Sequence, residues 1–175
     1  VYGDKNQIQL VCPLPGDEVA LVGKEGQKYN LTWVEREGGV IFSLPLTGFT
    51  AVNEIVELDN SRVLVVGQSS VPNVKGKKDK ITLCGRIVVI NRGGRIVSDI
   101  YAGDQGSNFL KGMLLRSGAF VVSGSEPKGA DGRQGILLKL DPTGSVVYQY
   151  KNAGGGYCDQ FAVMGNSIEY ICAAF

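Results

Sequence analysis

The sequence predicts an all-β chain built from repeats of four short antiparallel strands, and three observations carry that prediction. Apolar residues come in short runs, often alternating with polar ones, and the runs are closed by Gly, Asn, Asp or Pro. Glycine occurs 25 times and proline 6 times, spaced so that few windows could hold a helix of three turns. The third observation is a recurring phrase. An apolar strand and a tight turn lead to a strand ending in a small residue; a loop, a third strand, a glycine turn and a fourth strand follow.

Taken in order, Gln7–Pro15 forms the first strand, turned by Pro15-Gly16-Asp17, and Glu18–Gly23 (EVALVG) forms the second. A Gly-containing loop leads to Tyr29–Arg36, and Gly38-Gly39 turns it into Val40–Leu46; Thr47–Thr50 closes the unit. The second unit runs Ala51–Leu58, a turn at Asp59-Asn60, Arg62–Gly67 (RVLVVG), a long loop from Gln68 to Lys80, Ile81–Ile90, a turn from Asn91 to Gly94, and Arg95–Tyr101. Ser61 looks like a helix cap, but the β-branched run Val63-Leu64-Val65-Val66, closed by Gly67, belongs in a strand.

The third unit, Phe109 to Tyr150, turns at Ser117-Gly118 and at Asp141-Pro142-Thr143-Gly144. A fourth starts with Gln160–Met164, turns at Gly165-Asn166 and reaches Ile168–Phe175. The repeats fall at 7–50, 51–108 and 109–158, with a half repeat at 159–175.

Counting supports the phase. The small residue ending the second strand falls at Gly23, Gly67, Gly124 and Ala173, at intervals of 44, 57 and 49. The glycine after the third strand falls at Gly39, Gly94 and Gly144, at intervals of 55 and 50. Four strands recurring near the upper end of a period of roughly 20–50 residues predict the blades of a β-propeller. On this count about three and a half blades are present, an incomplete ring. The remaining blades would come from the same larger protein or from a partner chain pairing with an open strand edge.

The residues also carry a family resemblance. Phe109–Glu126 resembles the first two strands of a WD-repeat blade. Gly135–Gly144 (GILLKLDPTG) resembles the third, with Leu140-Asp141 where that family often has Trp-Asp. The same stretches are equally similar to the blades of pyrroloquinoline-quinone-type bacterial propellers. The resemblance implies a four-stranded blade fold, and propellers host many functions.

Composition narrows the chemistry. The net charge of +1 points to no polyanion partner, and no apolar stretch is long enough to span a bilayer. Histidine, the commonest general base and metal ligand, is absent. Cys12, Cys84, Cys158 and Cys172 contain no C-x-x-C, so neither a zinc site nor a thioredoxin-like motif is predicted; free, half-buried strand cysteines are the simpler reading. Paired Cys158 and Cys172 would bridge neighbouring strands only in an oxidising compartment. Glycine-rich strands, scarce charge and a start at Val1 favour secretion or the cell envelope over the cytoplasm.

Binding residues are expected on the longer loops, Gln68–Lys80, Ala102–Asn108, Ser125–Gln134 and Asn152–Asp159, which would share one face of the disc. The candidates are Lys75, Lys77, Lys78, Asp104, Gln105, Asn108, Lys128, Asp131, Arg133, Tyr157 and Asp159. Each has a bland alternative. The cluster Lys75-Gly76-Lys77-Lys78-Asp79-Lys80 reads as a solvated tip, and no interleaved aromatics suit it to nucleic acid. Asp104, Asp131, Asp159, Asn108 and Asn152 lack the D-x-D-x-D spacing of a calcium loop and read as turn formers. Gly154-Gly155-Gly156 lacks the Lys-Ser/Thr and helix of a phosphate loop. Glu35 and Glu37 flank a tight turn on the opposite face, and Asn30-Leu31-Thr32, a nominal glycosylation acceptor, falls in a strand. Trp33 and Tyr101 are expected to pack between blades.

No cofactor, metal or catalytic residue is predicted. The expected function is a non-catalytic binding or scaffolding propeller that engages a protein or glycan through its long-loop face. The alternative is a piece of a propeller enzyme, glycan-cleaving or similar, whose catalytic residues lie outside this chain.

Overall fold

The computed structural model describes residues 6–59, 61–71, 82–129, 132–152, 157–164 and 167–173, the last two segments as backbone. Among the described residues every element is a strand. The first sheet is β1 (Asn6–Leu14), β2 (Glu18–Glu25), β3 (Lys28–Val34) and β4 (Val40–Pro45); the second is β5 (Phe49–Asp59), β6 (Arg62–Val71), β7 (Thr82–Asn91) and β8 (Ile96–Ala102). The third is β9 (Asn108–Leu114), β10 (Phe120–Lys128), β11 (Gly132–Leu140) and β12 (Val146–Lys151), and β13 (Tyr157–Met164) pairs with β14 (Ser167–Ala173). Within each sheet the strands lie in chain order and run antiparallel. Three blade-like sheets and a two-stranded one follow each other along the chain.

The small residues that mark the phase have a structural cause. Gly23, Gly67 and Gly124 pair with Ile8, Val52 and Phe109, and at each of these the first strand carries a bulge. A Cβ on Gly67 would lie 2.0 Å from the Ala51 carbonyl oxygen, and one on Gly124 would lie 2.1 Å from that of Asn108. The bulge drives backbone into the space a side chain would need, so glycine recurs. Ala173 pairs with Tyr157 beside a register shift at the matching place.

The turns between third and fourth strands repeat as closely. In each, two backbone bonds close a three-residue loop: Glu35 N–H to Gly39 O and Gly38 N–H to Glu35 O, then the same at Asn91/Arg95/Gly94 and Asp141/Ser145/Gly144. Gly38, Gly94 and Gly144 hold φ of 86, 75 and 93°, which an L side chain resists. The expected phase mark at Gly39 is therefore corrected to Gly38. Asn91 and Asp141 reinforce their turns by accepting backbone N–H groups two and four residues on.

Alternation explains how the sheets pack. In β6, Val63 and Val65 turn to the first sheet, while Leu64 and Val66 turn to the third. In β7, Val88 and Ile90 divide from Ile87 and Val89 in the same way. The second sheet is thus buried on both faces, which is why its central strands read as continuous apolar runs. The first strands β1, β5, β9 and β13 lie successively against one another, and the fourth strands β4, β8 and β12 are the exposed outer edges.

Trp33 packs between sheets as expected, fully buried and 5.8 Å from the Phe42 ring. Tyr101 does not. It is 44% exposed, because it stands on the outermost strand of its sheet, where side chains turn to solvent.

The expected loops are shorter than their polar residues implied. β6 continues through Gln68-Ser69-Ser70 to Val71, and β10 and β11 stay paired from Phe120↔Leu140 to Lys128↔Gly132. The expected Ser125–Gln134 loop is therefore a hairpin. Backbone pairing needs no apolar side chain, and Ser69, Ser125 and Glu126 find polar partners of their own. β13 begins at Tyr157, so Tyr157 and Asp159 stand on a strand rather than in the expected Asn152–Asp159 loop.

Candidate functional site

An up-and-down sheet sends its connections alternately to its two ends. One end holds the tight turns; the other holds the hairpins between second and third strands and the links between sheets. Two of those links are described, 46–48 between β4 and β5 and 103–107 between β8 and β9. Each is pinned by an arginine from the third strand of the sheet that follows it.

Arg86 of β7 makes the first latch. It donates to the Thr47 carbonyl at 2.5 Å and forks onto Asp99 with two bonds of 2.8 Å. Its guanidinium lies 4.7 Å from the Phe49 ring centre and 5.1 Å from that of Tyr101. Burial works against the charge, but the Asp99 hydrogen bonds outweigh it and hold the Arg86 pKa above its ordinary value. Ser69 Oγ and Ser70 N–H both donate to the Gly48 carbonyl, so the whole link is fastened down.

Arg133 of β11 makes the second latch. It donates to Ser125 Oγ at 2.9 Å, to Ser125 O at 3.1 Å and to the Gly106 carbonyl at 3.0 Å. Beside it, Glu126 is fully buried yet fully engaged. It accepts from Gln134 at 2.8 Å, from Lys151 at 2.6 Å and from the Asp104 N–H at 3.1 Å. The Glu126 hydrogen bond raises the Lys151 pKa, and Asp104 adds to it from 3.1 Å. Ser107 completes the latch by donating to Ala102 O and accepting from Gly85 N–H.

Next to the Arg86 latch is a groove of about 290 Å³, between the β2–β3 turn and the 46–48 link. Gln27, Lys28, Asn30 and Pro45 form its wall, with Tyr29 and Phe49 at its base. Both rings are nearly closed off, at 6% and 4% exposure.

The candidate residues divide accordingly. Asp104 and Arg133 belong to the second latch, and Asn108 accepts from Asn53 Nδ2 at 2.7 Å where β5 meets β9. Gln105 is exposed in the link, and Lys128 is exposed at the end of β10. Tyr157 and Asp159 are placed by backbone alone, while Lys75, Lys77, Lys78, Asp131 and Gly154-Gly155-Gly156 lie outside the described residues.

Arg86, Glu126 and the groove residues went unnoticed in the sequence. A charged residue directly before the apolar run Ile87-Val88-Val89-Ile90, within the same strand, was the available signal for Arg86; nothing marked the groove. Cys12 is buried and Cys84 half-buried, both free thiols whose pKa burial pushes up. Among the described residues no group of three or more His, Cys, Asp or Glu is arranged to hold a metal ion, and no helix is long and apolar enough to cross a membrane. No protein-family model and no curated protein matches the chain.

Proposed function

We propose that this chain is a propeller-type binding module that engages a partner through the end carrying its inter-sheet links. One observation carries the reading: both described links are clamped from beneath by charged side chains, buried Arg86 in one and half-buried Arg133 with buried Glu126 in the other, while Gln105, Lys28 and Gln27 face solvent. Clamping of that kind holds a surface in one shape, and a preformed surface loses little entropy when a partner docks. The ionisable groups buried here are already engaged: Arg86 holds the Thr47 carbonyl and Asp99, and Glu126 holds the Asp104 N–H, Gln134 and Lys151. The repeated stacking of sheets, first strand on first strand, supports the propeller reading, as does the resemblance of Phe109–Glu126 to a blade.

Between the two partner classes, the groove favours a protein. A sugar stacks on an exposed ring face, and Tyr29 and Phe49 offer almost none. A side chain or short extended segment fits a cleft of this size between Gln27 and Thr47.

The test uses photo-crosslinking residues placed singly in the full chain, at Gln27 and Gln105 on the link-bearing end and at Arg116 and Thr143 on the tight-turn end. Crosslinked partner is expected from the first two positions only. Equal capture from Arg116 or Thr143, or binding on a glycan array with no protein partner, would overturn the reading.

A further inference from the structure

Register makes the three large sheets comparable residue by residue. Gly23, Gly67 and Gly124 mark one place, so the pairs that follow them, Lys24 with Tyr29, Gln68 with Gly85 and Ser125 with Gly135, occupy one position in the repeat. Between the second and third sheets that position is closed. A Cβ on Gly85 would lie 2.5 Å from the Phe109 ring, which fills the space and is fully buried. Gln68 donates to the Ser107 carbonyl at 3.1 Å, so its side chain is committed to the 103–107 link.

Between the first and second sheets the same position is built the other way round. The ring comes from Tyr29 on the third strand, and it brings a hydroxyl that Phe109 lacks. Tyr29 is more than nine-tenths buried and lines the groove beside the 46–48 link, yet its hydroxyl makes no hydrogen bond among the described residues. Nor is that hydroxyl sealed in, since Ser123 Oγ is the only enclosed side-chain oxygen or nitrogen there that lacks a partner. Two ammonium groups flank it. Lys24 Nζ lies 5.0 Å from the Tyr29 ring centre, and Lys28 stands on the groove wall. Glu25 faces Lys28 across the ladder without bridging to it, and among the described residues neither lysine is in an ion pair. Arg86 and Lys151, at the same end, are paired with Asp99 and Glu126. No acidic residue lines the groove.

We infer that the groove at Tyr29 is the seat for a carboxylate, that of a Glu or Asp side chain on an extended segment of a protein partner. This rests on the link-end reading above and gives its groove a chemistry. A phenol and two ammonium groups around one cleft are all donors, and an ionised carboxylate is the side-chain group that only accepts and carries the opposite charge. The short aliphatic stem of the acidic residue crosses Tyr29 and Phe49 at the base, which leave too little ring face open to stack a flat ligand. The other sheets do not repeat the site. Where the first has Lys24 and Tyr29, they have Gln68 and Ser125 holding distant groups, and Gly85 and Gly135 with no side chain to offer.

The experiment presents random short segments, each fixed at both ends within a carrier protein, to the immobilised full chain. Asp or Glu at one position is expected to be enriched at least about tenfold over the unselected pool. Lys28→Glu is expected to erase that preference. Tyr29→Phe is expected to weaken the selected segments about tenfold while leaving the melting temperature unchanged, because the hydroxyl has no partner within the described chain. Selection without an acidic residue, no selection at all, the same acidic preference from Lys28→Glu, or full binding by Tyr29→Phe would overturn the seat. So would binding lost in Tyr29→Phe only along with the fold, or equal binding by a selected segment released as a peptide with Gln for its acidic residue and a free C-terminus. Crosslinking from Gln105 separates this seat from the reading it rests on. Capture there with no acidic selection defeats the carboxylate seat alone, whereas no capture from either Gln27 or Gln105 defeats the link-end reading.

Discussion

Glu18, the first residue of β2, holds Arg92 in the β7–β8 turn, with Nε contacts of 3.0 and 3.1 Å. It also accepts from Trp33 Nε1 at 2.7 Å. The matching place in the second sheet is Arg62, which donates to the Pro142 carbonyl in the β11–β12 turn at 2.9 Å. The chemistry differs, but one geometric step carries the first sheet onto the second and the second onto the third. The side chains facing across that step were free to change as long as each pair closed.

Acid should loosen the first of these contacts. The Arg92 hydrogen bond, then that from Trp33, lower the Glu18 pKa below its ordinary value of 4.5. A depressed carboxylate contributes stability above its unfolded pKa and loses it as pH falls through the folded pKa. Melting temperature measured from pH 7 down to pH 3 is therefore expected to fall faster in the parent than in Arg92→Ala, with the two curves converging in acid. Parallel curves would show that the pair contributes nothing.

Lys151 sets the opposite limit. Its pKa is raised above 10.5, first by the Glu126 hydrogen bond. A raised ammonium contributes fully below its unfolded pKa and loses that contribution as pH rises through the folded one. Glu126→Gln is expected to bring the Lys151 titration, followed by NMR at Nζ, back towards its ordinary range. The alkaline loss of stability seen in the parent should shrink in the same variant.

Gly67→Ala should cost about 2–3 kcal/mol in a urea melt, because the new Cβ meets backbone rather than a side chain that can turn away. Gly16→Ala is the control. It has φ of 76° with nothing near its Cβ, so it carries only the cost of the left-handed backbone, about 1 kcal/mol. Equal losses would mean that the bulge does not determine the glycine.

Arg86→Lys keeps the charge but not the fork. Lysine cannot reach Asp99 with two bonds and the Thr47 carbonyl with a third. A loss of about 2 kcal/mol is expected, with backbone exchange near Phe49 and Ser70 rising before that of the sheet cores. Arg116→Lys, on an exposed turn, should change neither.

Much of the fold was legible because backbone rules act locally. Val63 to Val66 and Ile87 to Ile90 read as strands, Asn91 and Asp141 as turns, and Gly67 and Gly124 as one recurring position. Strand ends were not legible. Gln68, Ser69, Ser125 and Glu126 are polar and resemble loop, yet their backbone stays in the ladder because partners from distant links satisfy their side chains. The loop-end residues chosen from sequence were mixed in role for the same reason. Asp104 and Arg133 had charges suited to a ligand, and in the fold those charges are occupied by Lys151, Gly106 and Ser125.

The sequence by itself determined an all-β chain, its four-strand phrase and the place of its glycines. Apolar alternation, turn chemistry and left-handed φ are properties of a few neighbouring residues. Only the tertiary structure decided which faces met, which arginine held which link, and that the turn at Gly94 covered Phe42. Those outcomes depend on partners such as Glu18 and Arg92, 74 residues apart along the chain, and no local rule connects them until the sheets stack.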